Sequence, residues 1–283
     1  MEDVETRELR YFVAVAEELN FGRAAERLGI AQPPLSRAIR RLEHRLGVEL
    51  LERTSHGSRL TPAGEVLLAE GRTALDAVAA AVGRARRAGR KPSLVLAMKP
   101  GGDAGLLPAI LAAYENRPDA LPVDFAFSLG ERAAMLRDGR ADVGLLHHPQ
   151  NDLSGLATEE LTVERRVLAL ADSHPLAARD ELRMADLAGE DLPWFPEAAR
   201  PGPGPRVGDV GELMQLVTLG RAVALVTESA SQRPLPGVTY RPVLDAVPAT
   251  LVLAWAESSR SREVAAFVTA ARQAASPGAS GTT

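Results

Sequence analysis

Apolar residues in the first ninety positions recur at steps of three and four. Leu9, Phe12, Val13, Ala16 and Leu19 make one face of a helix from about Thr6 to Leu19. Asn20 suits the N-cap of a second helix, Phe21–Leu28, with Ala24, Ala25 and Leu28 turned inward. Gly29-Ile30-Ala31 is a tight connection. Pro33 fits the first position of a third helix, where its missing N–H would have no intrahelical partner. That helix carries an apolar stripe of Leu35, Ile39, Leu42 and Leu46 and stops at Gly47. Two helices joined by a short glycine-containing turn outline a helix-turn-helix. Val48–Arg53 and Arg59–Thr61 read as a two-stranded wing with Ser55-His56-Gly57-Ser58 at its tip. Thr61-Pro62 opens a helix to about Ala88, in which Leu68, Gly71, Leu75, Val78, Val82 and Ala85 alternate at three and four. A stripe on a rod of roughly 40 Å needs a cover. Either its own domain supplies it, or a second copy does through Leu68, Leu75, Val78 and Val82.

Beyond a hinge at Gly89–Pro92 the pattern changes to short apolar runs alternating with helical segments. The predicted strands are Leu94–Met98, Val123–Phe127, Asp142–Leu146, Val167–Ala171, Ala222–Val226 and Thr250–Trp255. The predicted helices are about Gly105–Asn116, Glu131–Asp138, Gly211–Leu219 and Ser261–Ala274. This is an α/β pattern with a mostly parallel sheet, which places ligands at strand carboxyl ends and helix N-termini. The expected organisation is a winged helix-turn-helix over 1–61, a linker and dimerisation helix over 62–91, an α/β domain over 92–275, and a small, polar, disordered tail over 276–283.

Charge sharpens the picture more than composition does. The 283 residues sum to −4, yet up to Lys91 sixteen basic residues outnumber thirteen acidic ones, and beyond it twenty-four acidic outnumber seventeen basic. On the third helix Ser36, Arg37, Arg40, Arg41 and His44 occupy the face opposite the Leu/Ile stripe. Glu43 lies at its edge, where it could pair with neighbouring arginines. One-sided positive charge repels itself without helping the fold, so a polyanion is expected there, and paired heads would suit a twofold DNA site. Gln32 suits adenine and Arg37 guanine, while Arg40, Arg41 and Arg53 suit phosphate. The chain has no cysteine, which excludes disulfides, thiolate nucleophiles and iron–sulfur clusters. With no secretory h-region and no apolar run near membrane length, a soluble, cytoplasmic protein without a membrane partner is expected.

Several motifs stand in a fixed register: Phe21-x-x-Ala24-Ala25-Glu26-x-Leu28, Gln32-Pro33-x-Leu35-Ser36-x-x-Ile39-x-x-Leu42-Glu43-x-x-Leu46-Gly47, Leu50-x-x-Arg53 and Leu60-Thr61-Pro62-Ala63-Gly64-Glu65. Together they resemble the N-terminal half of a LysR-type transcriptional regulator. Leu107-Pro108, Gly139-x-x-Asp142-Val143, His174-Pro175-Leu176-Ala177 and Gly220-x-Ala222-Val223-Ala224-Leu225 extend the resemblance into the body, more weakly after about residue 190. The resemblance implies a multidomain chain: an all-α winged helix-turn-helix with a long linker helix, then an α/β two-lobed sensor built like a periplasmic solute-binding protein. It also implies promoter DNA as partner, dimers or tetramers, and a small-molecule effector between the lobes. By the same resemblance, Gln32, Pro33, Pro34, Ser36 and Arg37 begin the recognition helix, with Asn20, Arg40 and Arg41 beside them. Arg53, Thr54, His56 and Arg59 of the wing face phosphate or the minor groove.

Three departures qualify this. Leu51 replaces an aromatic common in the family's wing strand. The loop Met98–Ala104 carries Lys99, Gly101, Gly102 and Asp103 where relatives offer a hydroxyl to a ligand carboxylate. Lys99 could anchor an anion such as a small organic acid and Asp103 would repel it, or the loop is an ordinary connector with solvated charges. The interval from Trp194-Phe195 to Gly220, with Pro201-Gly202-Pro203-Gly204-Pro205, is short, so the second lobe reads as shortened. Among other functions, an enzyme finds little support. His147 and His148 are adjacent and lack an obvious carboxylate, His174 precedes Pro175, and Pro201–Gly208 has too few N–H groups to cradle phosphate. No catalytic residue, metal or cofactor is expected. A solute-transport component leaves the basic head unexplained, whereas a DNA-bridging protein without a metabolite would fit a trimmed lobe.

Overall fold

The computed structural model describes residues 4–54, 57–89, 91–194 and 204–276. The chain divides into two compact units, Met1–Val82 and Gly83–Thr283. Of the expected features, His56, part of the Pro201–Gly208 segment and the tail beyond 276 lie outside the described residues.

The first unit opens with α1 (Thr6–Glu18), α2 (Phe21–Leu28) and α3 (Gln32–Leu46). The Asn20 side chain caps α2, accepting from the N–H groups of Gly22 at 2.9 Å and Arg23 at 3.1 Å. Gly29 and Gly47 close α2 and α3 in the left-handed conformation. The wing follows as β1 (Leu51–Thr54) paired antiparallel with β2 (Gly57–Leu60). Thr61 then starts α4 (Pro62–Ala88): its hydroxyl accepts from Gly64 N–H at 3.0 Å and donates to the Glu49 carbonyl at 2.7 Å. One core gathers Phe12 and Val15 of α1, Ala24 of α2, Leu35, Ile39 and Leu42 of α3, and Leu50 and Leu51 at the wing. Leu51, in place of an aromatic, is thus an ordinary core residue.

The stripe on α4 is partly covered by the head itself. Leu68 and Leu75 pack against the head's own core, and Gly71 is buried facing Leu9 and Val13. Val78 and Val82 remain 45% exposed. The first half of the stripe thus packs against its own domain, because α1 offers an apolar face along that stretch.

The second unit has two lobes. In the first, β3 (Leu94–Met98), β4 (Val123–Phe127), β5 (Val143–His148), β6 (Leu156–Glu164) and β10 (Ala249–Ala256) form one sheet in the order β4-β3-β5-β10-β6. Leu96, Leu145, Leu251 and Leu253 face α5 (Leu107–Glu115) and α8 (Arg262–Ala275), where Tyr114 meets Phe267 edge to face at 5.1 Å. Ala97, Leu146 and Val252 face α6 (Arg132–Arg137) on the other side. Burial on both faces explains why these strands read as continuous apolar runs. The second lobe has β7 (Arg166–Ala171), β8 (Ala224–Thr227) and β9 (Val238–Pro242) in the order β8-β7-β9, with α7 (Val210–Thr218) on one face and short 3-10 turns on the other.

The sheet expected to be mostly parallel is not. Among the named strands, β3 pairs in parallel with β4 and β5; β10 runs antiparallel to β5 and β6, and the β8-β7-β9 sheet of the second lobe is antiparallel, with isolated parallel bridges beside it. Part of the difference lies in β6 and β9, two strands the hydrophobic pattern does not reveal; the antiparallel pairings of β10 with β5 and of β7 with β8 join strands it does reveal, whose direction it does not encode. β6 and β9 are edge strands with partly exposed polar positions, such as Glu159 and Glu160 in β6 and Arg241 in β9.

Candidate functional site

In the first unit, α3 is positioned by its neighbours. Leu35 and Leu42 are fully buried beneath it, so the opposite face must point outward. Glu43, placed where it could pair with neighbouring arginines, makes no ion pair with an arginine among the described residues. Its Oε1 accepts from the N–H groups of Leu50 at 3.0 Å and Leu51 at 3.2 Å, tying the start of the wing to α3. Arg45 ion-pairs with Glu8 of α1 and, by that hydrogen bond, holds the Glu8 carboxyl below its ordinary value. Pro33 and Pro34 lie in the first turn, with Gln32 one residue ahead of them as the first helical residue. They remove two N–H groups that would lack helical partners, so α3 forms without a side-chain cap.

The arginines sort into two sets. Arg27 and Arg72 pair with Glu17, each at 2.7 Å, and Arg59 pairs with Glu52 directly across the wing. Arg37, Arg40 and Arg41 are exposed on α3 and make no hydrogen bond or ion pair with a described residue, and Gln32, Pro33 and Pro34 are exposed beside them. Ser36 is half-buried on the same side. Asn20 lies at the start of α2 with its Oδ1 already occupied by the cap. The backbone of Arg53 and Thr54 lies in β1, opposite Ser58 and Gly57. The result is an exposed cationic face on a helix whose back is anchored in a core, a geometry suited to a phosphate-lined groove.

The second unit holds a cluster that sequence reasoning did not assemble. Lys99 begins a turn in which Gly102 N–H donates to the Lys99 carbonyl at 3.1 Å, with Pro100 and a left-handed Gly101 between them. A Cβ on Gly102 would come within 2.3 Å of Lys99 Cγ, so the lysine stem lies over a position that only glycine leaves open. Asp103, the next residue, is buried. Arg132 is 4% exposed: its Nη1 donates to the Leu145 carbonyl at 3.0 Å, and its Nη2 to the Leu129 carbonyl at 3.1 Å and Asn151 Oδ1 at 3.3 Å. His147 and His148 point oppositely from β5, as adjacent strand residues must; His147 is buried and His148 exposed. The carboxylate expected to be missing exists. Glu164 Oε2 lies 3.8 Å from His147 Nε2, an ion-pair distance rather than a hydrogen bond. Glu164 Oε1 accepts from Ser229 N–H at 3.0 Å, so this residue of the first lobe grips the second. Only Arg165 separates β6 from β7, which makes the cluster coincide with a crossing between lobes.

Burial, reinforced by the Arg132 and Arg166 guanidinium groups, lowers the Lys99 ammonium from 10.5 to about 8. Burial likewise brings Arg132 down to about 10 and lowers Arg166 and His147. For Glu164 burial acts upward, but His147 and the hydrogen bonds at Ser229 outweigh it and leave the carboxyl below its ordinary value. Arg132, Glu164, Arg166 and Ser229 could have been noticed only as polar residues inside or beside apolar stretches. His174 is structural: Nδ1 accepts from Leu176 N–H at 3.2 Å, and Nε2 lies 3.3 Å from Glu190. Among the described residues, no group of three or more His, Asp or Glu side chains is arranged to hold a metal, and no helix is long and apolar enough to cross a membrane.

A winged helix-turn-helix with an exposed cationic recognition face, joined to a two-lobed α/β body, defines a DNA-binding regulator with a sensor. The chain belongs to the LysR family of bacterial transcriptional regulators. Residues 6–65 match the family model described as bacterial regulatory helix-turn-helix protein, lysR family, and residues 87–276 match the LysR substrate binding domain. The chain is 33% identical over 258 residues to the HTH-type transcriptional regulator AlsR of Bacillus subtilis, covering 84% of this chain and 85% of that protein. It is 32% identical over 287 residues to the Hca operon transcriptional activator HcaR of Escherichia coli, covering 94% and 96%. Among solved structures, full-length BenM superposes with a TM-score of 0.53 at 28% identity, covering 95% of this chain and 96% of that one. Full-length CbnR complexed with its target DNA superposes at 0.51 and 27%, covering 96% and 100%. The protein is thus a LysR-type transcriptional regulator that binds promoter DNA, responds to a small-molecule effector and self-associates.

Proposed function

We propose that α3 enters the major groove with Gln32, Pro33, Pro34, Ser36 and Arg37 against base edges, while Arg40 and Arg41 meet flanking phosphates. The observation that carries this reading is the set of exposed arginines, unpaired among the described residues, on a helix whose opposite face is fully buried. The wing, through Arg53, Thr54, His56 and Arg59, meets the backbone or the minor groove. Arg59 would first have to leave Glu52, so its contribution is the smaller. Val78 and Val82 supply the self-association surface on α4. Effector uptake between the lobes shifts the population of lobe arrangements, and thereby the spacing of paired heads and the bend in the promoter. The working compartment is the cytoplasm, the chain acts by binding, and no catalytic step is assigned to it.

Mobility-shift titrations on operator and scrambled DNA test the assignment. Arg37→Ala is expected to weaken operator binding by about 1–3 kcal/mol and relax base preference, whereas Arg40→Ala weakens both DNAs alike. The affinity should fall with salt at a slope of about −0.9 for each phosphate neutralised, and Arg40→Ala should reduce that slope by about one phosphate. Equal losses on both DNAs for Arg37→Ala would remove it from base reading.

A further inference from the structure

An acid at the edge of a DNA-reading helix opposes the helix's partner, so its presence needs a reason. Glu43 follows Arg40 and Arg41 on α3. It is half-buried, and its Oε1 is filled by the N–H groups of Leu50 at 3.0 Å and Leu51 at 3.2 Å. Those two residues are the root of β1, the strand that carries Arg53 and Thr54. The wing has only two strands, too few to hold an orientation by themselves. They are moored differently. β2 hangs on the turn after α1, where Ser58 N–H donates to the Leu19 carbonyl at 2.9 Å and a Cβ on Gly57 would come within 2.7 Å of that oxygen. β1 is tied to α3 at Glu43. Leu50 and Leu51 also bury their side chains in the head's core, which anchors the root and leaves the strand's direction to its hydrogen bonds. Beside this tie, α3 and the wing stand apart across an open groove of about 490 Å³, with Ser36 and Arg40 on one wall and Glu49 and Glu52 on the other. Packing does not fill the gap; the carboxylate spans it.

Resting on the reading of the wing as a DNA contact, we infer that Glu43 is a positioning residue for DNA binding. It fixes β1 relative to the recognition helix, so that helix and wing engage one duplex together, and it does so as a hydrogen-bond acceptor rather than as a charge. A loose wing would have to find its groove each time α3 docks. A fixed one arrives already placed, which raises its effective concentration at the DNA. A glutamine oxygen can accept the same two N–H groups. The charge itself works against binding, because Glu43, Glu49 and Glu52 all border the groove and Arg59 offsets Glu52. Removing the charge alone and removing the acceptor therefore have opposite consequences.

The test uses the full-length protein and a duplex recovered with it by selection from a random-sequence library, with a scrambled duplex as control. Fluorescence anisotropy titrations at several salt concentrations read the affinities. Glu43→Gln is expected to bind both duplexes as tightly as the parent or up to about threefold tighter, with the salt slope kept. Glu43→Ala should lose about tenfold on both duplexes, with a slope shallower by about 0.9, one phosphate contact. Glu43→Asp keeps the charge but draws the acceptor back by one methylene, and should fall between the parent and the alanine variant. In a double-mutant cycle, Arg53→Ala should weaken the parent by about fivefold or more and the Glu43→Ala protein by less than about twofold. A merely structural glutamate would lower the melting temperature and the binding-competent fraction, and would leave the salt slope and the Arg53 coupling unmoved. The inference is overturned if the glutamine and alanine variants bind alike, or if Arg53→Ala costs the same in both backgrounds. It is also overturned if Glu43→Ala changes the ratio between the two duplexes, which would put the disturbance in α3 itself. Circular dichroism verifies each fold. Should the alanine variant not fold, the aspartate and glutamine variants decide, since a role through charge alone makes aspartate equal to the parent. Arg53→Ala without effect in the parent would strike the wing reading, and the inference with it.

Discussion

Arginine is used in opposite ways in the two units. On α3, Arg37, Arg40 and Arg41 stand in solvent without a partner among the described residues. In the sensor, Arg132 is 4% exposed and fastens α6 to the Leu145 carbonyl of β5 and to Asn151 in the loop beyond it. An exposed guanidinium costs little to keep, is screened by salt, and does its work only when a polyanion arrives. A buried one is costly unless its donors find acceptors, as Nη1 and Nη2 of Arg132 do, and it then becomes part of the framework. The difference teaches that charge type alone does not mark a binding residue; the partners already made within the chain do.

The largest effect should come from breaking that contrast at its buried end. Arg132→Ala removes the donors to two carbonyls and to Asn151 and leaves a gap under β5, which should cost about 3 kcal/mol or more in urea denaturation. Arg37→Ala, judged by the same measurement, should stay within about 0.5 kcal/mol of the parent. Similar losses for the two would erase the distinction between framework and contact arginines.

A smaller effect of opposite sign is expected at Lys99. Its folded value of about 8 lies below the ordinary 10.5, so the unfolded chain binds more protons between those values and stability rises with pH across that window. Below about pH 8 the folded protein carries the full cost of the partly desolvated charge. Lys99→Met should therefore stabilise the protein by about 1–3 kcal/mol at pH 7. The gain should shrink from pH 8 upward and vanish above about pH 10.5, a trend that thermal denaturation across pH would follow. A constant gain at every pH would show that the methionine merely packs better.

Legibility in the sequence divides along the same line. The head is written locally: the apolar stripe of α3, the Asn20 cap, Gly29 and Gly47 at helix ends, and Thr61-Pro62 before α4 all lie within a few residues of what they determine. Even there Glu43 was misread, because its partners Leu50 and Leu51 are backbone groups that no charge pattern reveals. The stripe of α4 looked uniform, yet what covers each part depends on α1, some sixty residues earlier. In the sensor the strands buried on both faces were evident, while the edge strands β6 and β9 were concealed by their polar positions. The seam cluster draws on positions 99, 132, 147, 164, 166 and 229, which only the chain's crossing between lobes brings together. Of these, Lys99 stands out in the sequence because it departs from the family pattern, and His147 because it adjoins His148.

The smallest of these effects concerns Asn20, where a structural and a recognition role compete for one side chain. Its Oδ1 is taken by the N–H groups of Gly22 and Arg23, so the cap explains the residue without DNA. Asn20→Ala should cost about 1 kcal/mol in stability through the lost cap, which confounds any change in DNA affinity. Asn20→Asp separates the roles, since aspartate caps as well and favours the helix dipole, but brings a negative charge to the place where a phosphate would lie. If Asn20 only caps α2, the aspartate variant keeps its stability and binds operator DNA within about twofold of the parent. If the amide also donates to phosphate, stability is kept while affinity falls tenfold or more and the loss deepens at low salt. The contrast between exposed contacts and buried framework would then have an exception at the one residue that serves as both.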